Sequence, residues 1–315
     1  MTTEGYDFIG DIHGRADELT ALLKKLGYSQ KRGAYRHPGR LAVFVGDFID
    51  RGQKNKKVLQ IVRAMMDAGT ALAVMGNHEY NALCYHTPHP EKDGDYLRPH
   101  AYKNTAQHQA FLQEFPLGGN ETREVLDWMS QLPLFLELEG ARAIHACWHD
   151  ETLSSISPLL RDGCLTSELL FLSTIKGSPA HNAIETLLKG PERDLPDGLT
   201  FQDKDGHARK SVRIKWWLSS PNSFQEMAMI QDSIRKTLPP QDFPPDQMIG
   251  YSDSDLPVFF GHYWLDNDPS VFADNVACVD YSVGNPGGKL ACYRMCGGGG
   301  LSSHNFISVQ RKEGI

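Results

Sequence analysis

Three stretches of the chain each end an apolar run in a glycine followed by side chains that can hold a metal or move a proton. Tyr6 to Ile9 leads into Gly10-Asp11-Ile12-His13-Gly14. Leu41 to Val45 leads into Gly46-Asp47-Phe48-Ile49-Asp50-Arg51-Gly52, and Ala71 to Met75 into Gly76-Asn77-His78-Glu79. A carboxylate at the end of a buried strand packs poorly, but beside a glycine, which lets backbone or ligand approach closely, it is well placed for a cation. Two later runs close in the same way, one at Ile144-His145-Ala146 and one at Phe260-Gly261-His262. Asp and Asn also cap helices, but capping does not call for His13, His78 and Arg51 at these offsets.

Carboxylate oxygen, amide oxygen and imidazole nitrogen together suit Mn, Fe, Zn or Co better than Ca. Asp11 and His13, two apart on a turning segment, can reach one ion. Asn77, His145 and His262 can hold a second, and Asp47, on the central strand, can bridge. Two ions roughly 3.5–4 Å apart would lower the pKa of a shared water and clamp phosphoryl oxygens for in-line attack by a bridging hydroxide. Phosphate ester hydrolysis also needs a proton for the leaving group and neutralisation of charge. His78 is the candidate acid, with Asp50 to orient and charge it. Arg51 offers a fixed positive fork for phosphate. His149, four residues beyond His145, is a rival for the ligand role.

The elements that must position these groups follow from apolar spacing. Strands over 6–9, 41–45 and 70–75 alternate with helices over 17–26 (Leu19, Leu22, Leu23, Leu26) and 58–66 (Val58, Leu59, Val62, Met65, Met66). That is a βαβαβ unit, with right-handed crossovers and strand ends side by side at the carboxyl edge of a parallel sheet. Residues 28–40 read as a loop, and a short helix is expected over 79–83. From 85 to 120 the regularity fails, apart from a helix over 102–115; His86, His89, His100 and His108 read as solvated loop histidines. A helix over 121–130 and a hairpin of 134–138 with 142–146 follow. Within 150–255 the spacing predicts helices over 153–160, 166–175, 182–188 and 224–236 and a strand over 211–218. Strands over 256–260 and 276–281 and a terminal hairpin of 289–295 with 305–309 complete the chain. The whole of 1–315 reads as a single domain, with 85–130 and 150–255 as insertions capping the site and deciding substrate choice.

The 315 residues are 40% hydrophobic and 10% aromatic, which is normal for a globular core. The net charge of −7 gives no overall positive field for nucleic acid or an anionic membrane, so no stable nucleic acid partner is expected. An anionic substrate must then be held by local metals and a few arginines. No apolar stretch approaches the roughly 20 residues of a membrane span. The start, Met1-Thr2-Thr3-Glu4, lacks the basic and apolar regions of a signal peptide. The six cysteines form no CxxC pair and read as reduced thiols, pointing to the cytoplasm. Nothing in the sequence fixes an oligomeric state.

G-D-I-H-G, G-D-F-I-D-R-G and G-N-H-E, in this order and spacing, resemble the signature of the phosphoprotein-phosphatase branch of the calcineurin-like metallophosphoesterases. Ile144-His145-Ala146 and Gly261-His262 resemble its later histidine motifs, and Cys278 to Gly284 its closing motif. The resemblance covers 5–84, 132–149 and 256–311. It implies an α/β fold, a β-sandwich of two mixed sheets flanked by helices, with helical insertions and a dinuclear site at one edge. It also implies the ligand, acid and arginine roles given above, with manganese as the first choice and Fe, Zn, Co or Ni as alternatives. The opening Y-D-F-I-G-D-I-H-G with L-L-K-K-L-G-Y looks more like bacterial diadenosine-tetraphosphatase-type and polynucleotide-repair members than eukaryotic protein phosphatases. Ile214 to Pro221 echoes a family motif containing a second phosphate-binding arginine, which makes Arg213 that candidate.

The function expected is metal-dependent hydrolysis of phosphate monoesters, on a phosphoprotein or a small molecule. The rival is hydrolysis of a dinucleoside polyphosphate such as diadenosine tetraphosphate. A nuclease ranks third, because the chain is acidic. A metal-free binding module would have lost ligands, and none is missing.

Overall fold

The computed structural model describes residues 4–195, 198–202, 208–220, 223–230, 235, 236, 238, 242–297 and 299–312. The chain opens with β1 (Gly5–Ile9) and α1 (Ala16–Lys25). The stretch 28–40, expected as a loop, forms a short antiparallel hairpin of β2 (Ser29–Lys31) and β3 (Ala34–Arg36). Burial of Ala34 and Tyr35 drives it, while the polar, exposed Ser29–Lys31 hides the pattern. β4 (Arg40–Phe44), α2 (Asn55–Asp67) and β5 (Ala71–Ala73) follow. β1, β4 and β5 are parallel neighbours, with Phe8 opposite Val43 and Val43 opposite Leu72. Their carboxyl ends therefore lie side by side. Leu19, Leu22 and Leu23 of α1 and Val58, Val62 and Met65 of α2 share one buried core with Ile9 and Phe44.

Next come α3 (Asn77–His86), α4 (Tyr102–Glu114) and α5 (Asn120–Met129). The hairpin β6 (Phe135–Leu138) and β7 (Ala141–Ile144) follows, then α6 (Asp150–Ile156), α7 (Ser167–Leu172) and α8 (Pro179–Lys189). Short strands β8 (Glu192–Asp194), β9 (Phe201–Gln202), β10 (Ala208–Arg209) and β11 (Ser211–Arg213) lead to a single turn, α9 (Phe224–Met227). The chain closes with β12 (Val258–Phe260), β13 (Val276–Cys278), β14 (Asp280–Tyr281), β15 (Lys289–Cys296) and β16 (Phe306–Gln310).

One mixed sheet runs β14-β15-β1-β4-β5, with β16 also on β15; the other runs β13-β12-β7-β6. They pack face to face through Phe8, Val43 and Val45 against Ala141, Ala143 and Phe259. The Phe8 and Phe259 rings stack at 3.8 Å. The fold is therefore the expected α/β sandwich of two mixed sheets flanked by helices.

Two expectations within 150–255 need correction. The strand expected over 211–218 stops at Arg213. Trp216 and Trp217 are consecutive and both buried, and both rings pack on Phe260, which a pleated strand could not allow. The helix expected over 224–236 ends at Met227, because the next residues pair back on the chain: Lys215 N–H donates to Met227 O and Met229 N–H to Arg213 O, both at 2.8 Å. Residues 231–234 of that expected helix lie outside the described residues. Among the described residues, no helix is long and apolar enough to cross a membrane. All six cysteines are free.

Candidate metal centre

The loops leaving β1, β4 and β12 hold several non-glycine residues in left-handed backbone conformations: His13 (φ 47°), Asp47 (53°), Asp50 (70°), Arg51 (61°), His262 (73°) and Trp264 (54°). Each such residue costs on the order of 1 kcal/mol and persists only where its surroundings fix it. Glu79 supplies much of that fixing. Its Oε2 accepts from Asp47 N–H at 2.8 Å and Gly76 N–H at 3.0 Å, and its Oε1 from Phe48 N–H at 2.8 Å. Asp280 does the same across the site, accepting from Trp264 N–H at 2.7 Å and Ser282 N–H at 2.9 Å. Two glycines are obligatory for the close approach. A Cβ on Gly46 (φ 98°) would fall 2.5 Å from Gly76 N, and one on Gly261 2.0 Å from Asp11 Oδ1.

The donors converge on Asp47. His145 donates Nδ1–H to Val45 O at 2.7 Å, which turns its Nε2 toward Asn77 Oδ1 (3.0 Å) and Asp47 Oδ1 (3.5 Å). His262 Nδ1 lies 2.7 Å from the same Asn77 Oδ1. His13 donates Nδ1–H to Ile49 O at 3.1 Å and holds Nε2 3.7 Å from Asp47 Oδ2. Two groups result, His13-Asp47-His78 and Asp47-His145-His262, with the ligand atoms of each within 4.8 Å of one another. Asp47 belongs to both. Asp11 stands alongside, its buried carboxylate accepting from His262 N–H at 3.1 Å.

The fit to divalent cations is visible in the protein itself. His13 Nε2 and His262 Nε2 are buried and find no hydrogen-bond partner among the described residues, a costly state unless something binds there. Burial, reinforced by His78, lowers the His13 imidazole to about 3. Burial also holds His145 low and His262 well below its ordinary range, the latter helped by Arg213. These rings are neutral at pH 7, as metal ligands must be. Burial alone would push Asp47 up, but His145, His78 and His13 together bring it below the ordinary carboxylate value. Asp11 is pushed well up by burial and by Asp280 and Asp47, a repulsion that a cation relieves.

Beside this cluster His78 Nδ1 lies 2.5 Å from Asp50 Oδ2, while its backbone N–H donates to Asp47 Oδ1 at 2.9 Å. Burial lowers the imidazole, but Asp47 and the bond to Asp50 outweigh it and leave His78 above its ordinary value. Arg51 lies over the Trp264 ring at 3.8 Å. A cleft of about 1830 Å³ opens over Asp50, Arg51, His78 and His262. Arg213 lines it, 5.5 Å from the Tyr263 ring and 4.0 Å from Glu192 Oε1. His149 stands in neither ligand group and bonds Thr152 Oγ1 at 2.7 Å.

His108 is not a solvated loop histidine. It is buried, with Nδ1 2.8 Å from Asp50 Oδ1. The available signal was its spacing: His108 and Phe111 of α4, with Phe115 just past its end, fall on one buried stripe. Asp280 lay within the closing motif and Glu79 within G-N-H-E, but neither had a role that local sequence could supply.

A family model described as calcineurin-like phosphoesterase matches residues 6–184. The chain is 53% identical over 74 residues to the bis(5'-nucleosyl)-tetraphosphatase PrpE (asymmetrical) of Halalkalibacterium halodurans, a match covering 23% of this chain and 30% of that protein. It is 32% identical over 142 residues to the protein of the same name from Oceanobacillus iheyensis, covering 44% and 54%. The chain thus spans between 30% and 54% of the length of these curated relatives. Among solved structures, a protein serine/threonine phosphatase from Saccharomyces cerevisiae overlays with a TM-score of 0.50 at 13% identity, over 98% of this chain and 80% of that one, a likeness of fold.

Proposed function

The chain belongs to the calcineurin-like phosphoesterase family, and from that premise we propose that it hydrolyses phosphate esters at the cluster centred on Asp47. The carrying observation is that two donor groups share Asp47 while the His78–Asp50 pair stands beside them at 2.5 Å. Asp11 and His13 would hold one divalent ion and Asn77, His145 and His262 a second, with Asp47 common to both. Manganese is the first choice, with Fe, Zn, Co and Ni as alternatives. When bound, such ions supply Lewis acidity that activates water and neutralises phosphoryl charge. The chain's own groups do the rest. Arg51 holds the phosphate, with Arg213 as a second contact from the rim. As the water oxygen loses a proton to solvent and bonds to phosphorus and the P–O ester bond breaks, His78 gives its proton to the leaving oxygen and regains one from solvent afterwards, and Asp50 keeps the ring turned for that transfer.

The substrate read first is a phosphate monoester, on a protein or a small molecule. The cleft favours a second reading, hydrolysis of a dinucleoside polyphosphate. At about 1830 Å³ it exceeds an ordinary small-molecule pocket. Arg98 and Lys103 from one insertion and Lys189, Arg209, Arg213 and Lys215 from the other line it. Such a lining suits an extended polyanion, and the PrpE relatives are named for a nucleosyl tetraphosphate. In this reading 85–130 and 150–255 form the cap of a single cytoplasmic domain. The test is a panel of an aryl phosphate, phosphoserine and phosphotyrosine peptides, and diadenosine tetraphosphate, with manganese. Free phosphate from the esters supports the first substrate, and release of ATP or ADP from the last supports the second. No product from any of them overturns both.

A further inference from the structure

His108 lies outside the motifs that carry the site, yet it completes the His78–Asp50 pair. Asp50 Oδ2 faces His78 Nδ1 at 2.5 Å, and its other oxygen, Oδ1, faces His108 Nδ1 at 2.8 Å. The final torsion of an Asp side chain is broad and roughly two-fold, so a bond at one oxygen alone fixes its plane poorly. Bonds at both oxygens fix it. The His108 ring is itself held, stacked on Phe111 at 4.7 Å, with Nε2 3.2 Å from His86 Nε2. The same helix also grips the Asp50 backbone at one remove. Glu114 accepts from Asn55 N–H at 2.6 Å and Asn55 Nδ2–H at 2.8 Å, and Asn55 Oδ1 accepts from Asp50 N–H at 2.7 Å. Asp50 stands at a left-handed φ of 70°, where such support is needed.

We infer that His108 is a positioning residue: through Asp50 it aims His78 at the leaving-group oxygen, so that α4 of the first insertion belongs to the proton-transfer machinery. This rests on the role proposed above for His78. A leaving group of high basicity, such as the alkoxide of phosphoserine, needs the proton; p-nitrophenolate leaves without it. Loss of aim therefore penalises one ester and spares the other, which a general loss of packing would not do.

The test compares wild type, His78→Asn, His108→Phe, His108→Asn and His108→Gln, all manganese-loaded, on a phosphoserine peptide and on p-nitrophenyl phosphate. His108→Phe keeps the ring stack but not the donor. His108→Asn puts an N–H where Nδ1–H stood, and His108→Gln puts one where Nε2 stood. Expected for His108→Phe is a kcat loss of about 10–100-fold on the peptide, part of what a general acid contributes, and less than about 3-fold on the aryl ester. His108→Asn should recover most of that loss and His108→Gln should not. Equal losses on the two esters, or equal losses for Asn and Gln, reduce the contact to packing and overturn the inference. If His108→Phe does not fold, the Asn–Gln pair alone decides. If wild type hydrolyses neither ester, the monoester reading falls, and if His78→Asn does not separate them, the acid role of His78 falls; the inference falls with either.

Discussion

The two insertions reach one cleft by different means. The first, 85–130, bonds to the site: His108 to the Asp50 carboxylate at 2.8 Å, and Glu114 to Asn55, which holds the Asp50 backbone. The second, 150–255, anchors on the second sheet, with Trp216 Nε1–H donating to Ala146 O at 3.0 Å and Ala146 N–H to Leu187 O at 3.1 Å. To the cleft it brings charge, including Lys189, Arg213 and Lys215. An insertion that fixes the rotation of the carboxylate bonded to His78 should bear on turnover. One that lines the rim with cations bears on which anion enters and how tightly it is held. Substitutions in and beside each insertion separate the two roles.

The largest effect is expected at Asp47, which belongs to both donor groups. Asp47→Asn should lower kcat by more than about 10⁴-fold on every substrate, beyond what a general acid alone supplies, and reduce the metal content measured by atomic emission. Next is His78→Asn, with a loss of about 10²–10⁴-fold on phosphoserine peptide and a smaller one on p-nitrophenyl phosphate, read from steady-state kinetics. Trp216→Ala probes the anchor of the second insertion. It should cost about 3–5 kcal/mol of stability in denaturant titration and leave kcat on the small aryl ester nearly unchanged. A collapse of that kcat would tie the second insertion to the chemistry. The smallest effect is expected at Arg213. Arg213→Ala should raise KM for the better polyanionic substrate by about 10-fold, the loss of one charge-assisted contact, with kcat held. A fall in kcat at constant KM would erase the distinction between the insertions.

Legibility in the sequence followed the same division. The convergence of Asp11, His13, Asp47, Asn77 and His78 was readable because each follows its strand within a few residues, so that one local pattern carries strand, turn and donor side chain. His145 and His262 were readable for the same reason in the second sheet. His108 was not, since its meaning lies in Asp50, 58 residues away, and only its place on the apolar stripe of α4 distinguished it from its neighbours. The run Ile214 to Leu218 read as a strand because an apolar stretch looks alike whether it pleats or turns. Its outcome was set by two tryptophans packing on Phe260 from another sheet. Local periodicity reports local structure, and contacts across the fold decide the rest.

The most direct test of the central proposal is a manganese titration of metal-stripped wild-type protein, with bound metal and hydrolysis of p-nitrophenyl phosphate measured together. The expected result is no turnover in chelator and a plateau at two bound ions per chain. Full turnover of the stripped protein, or a plateau at one ion, would contradict a shared Asp47 at the centre of the chemistry.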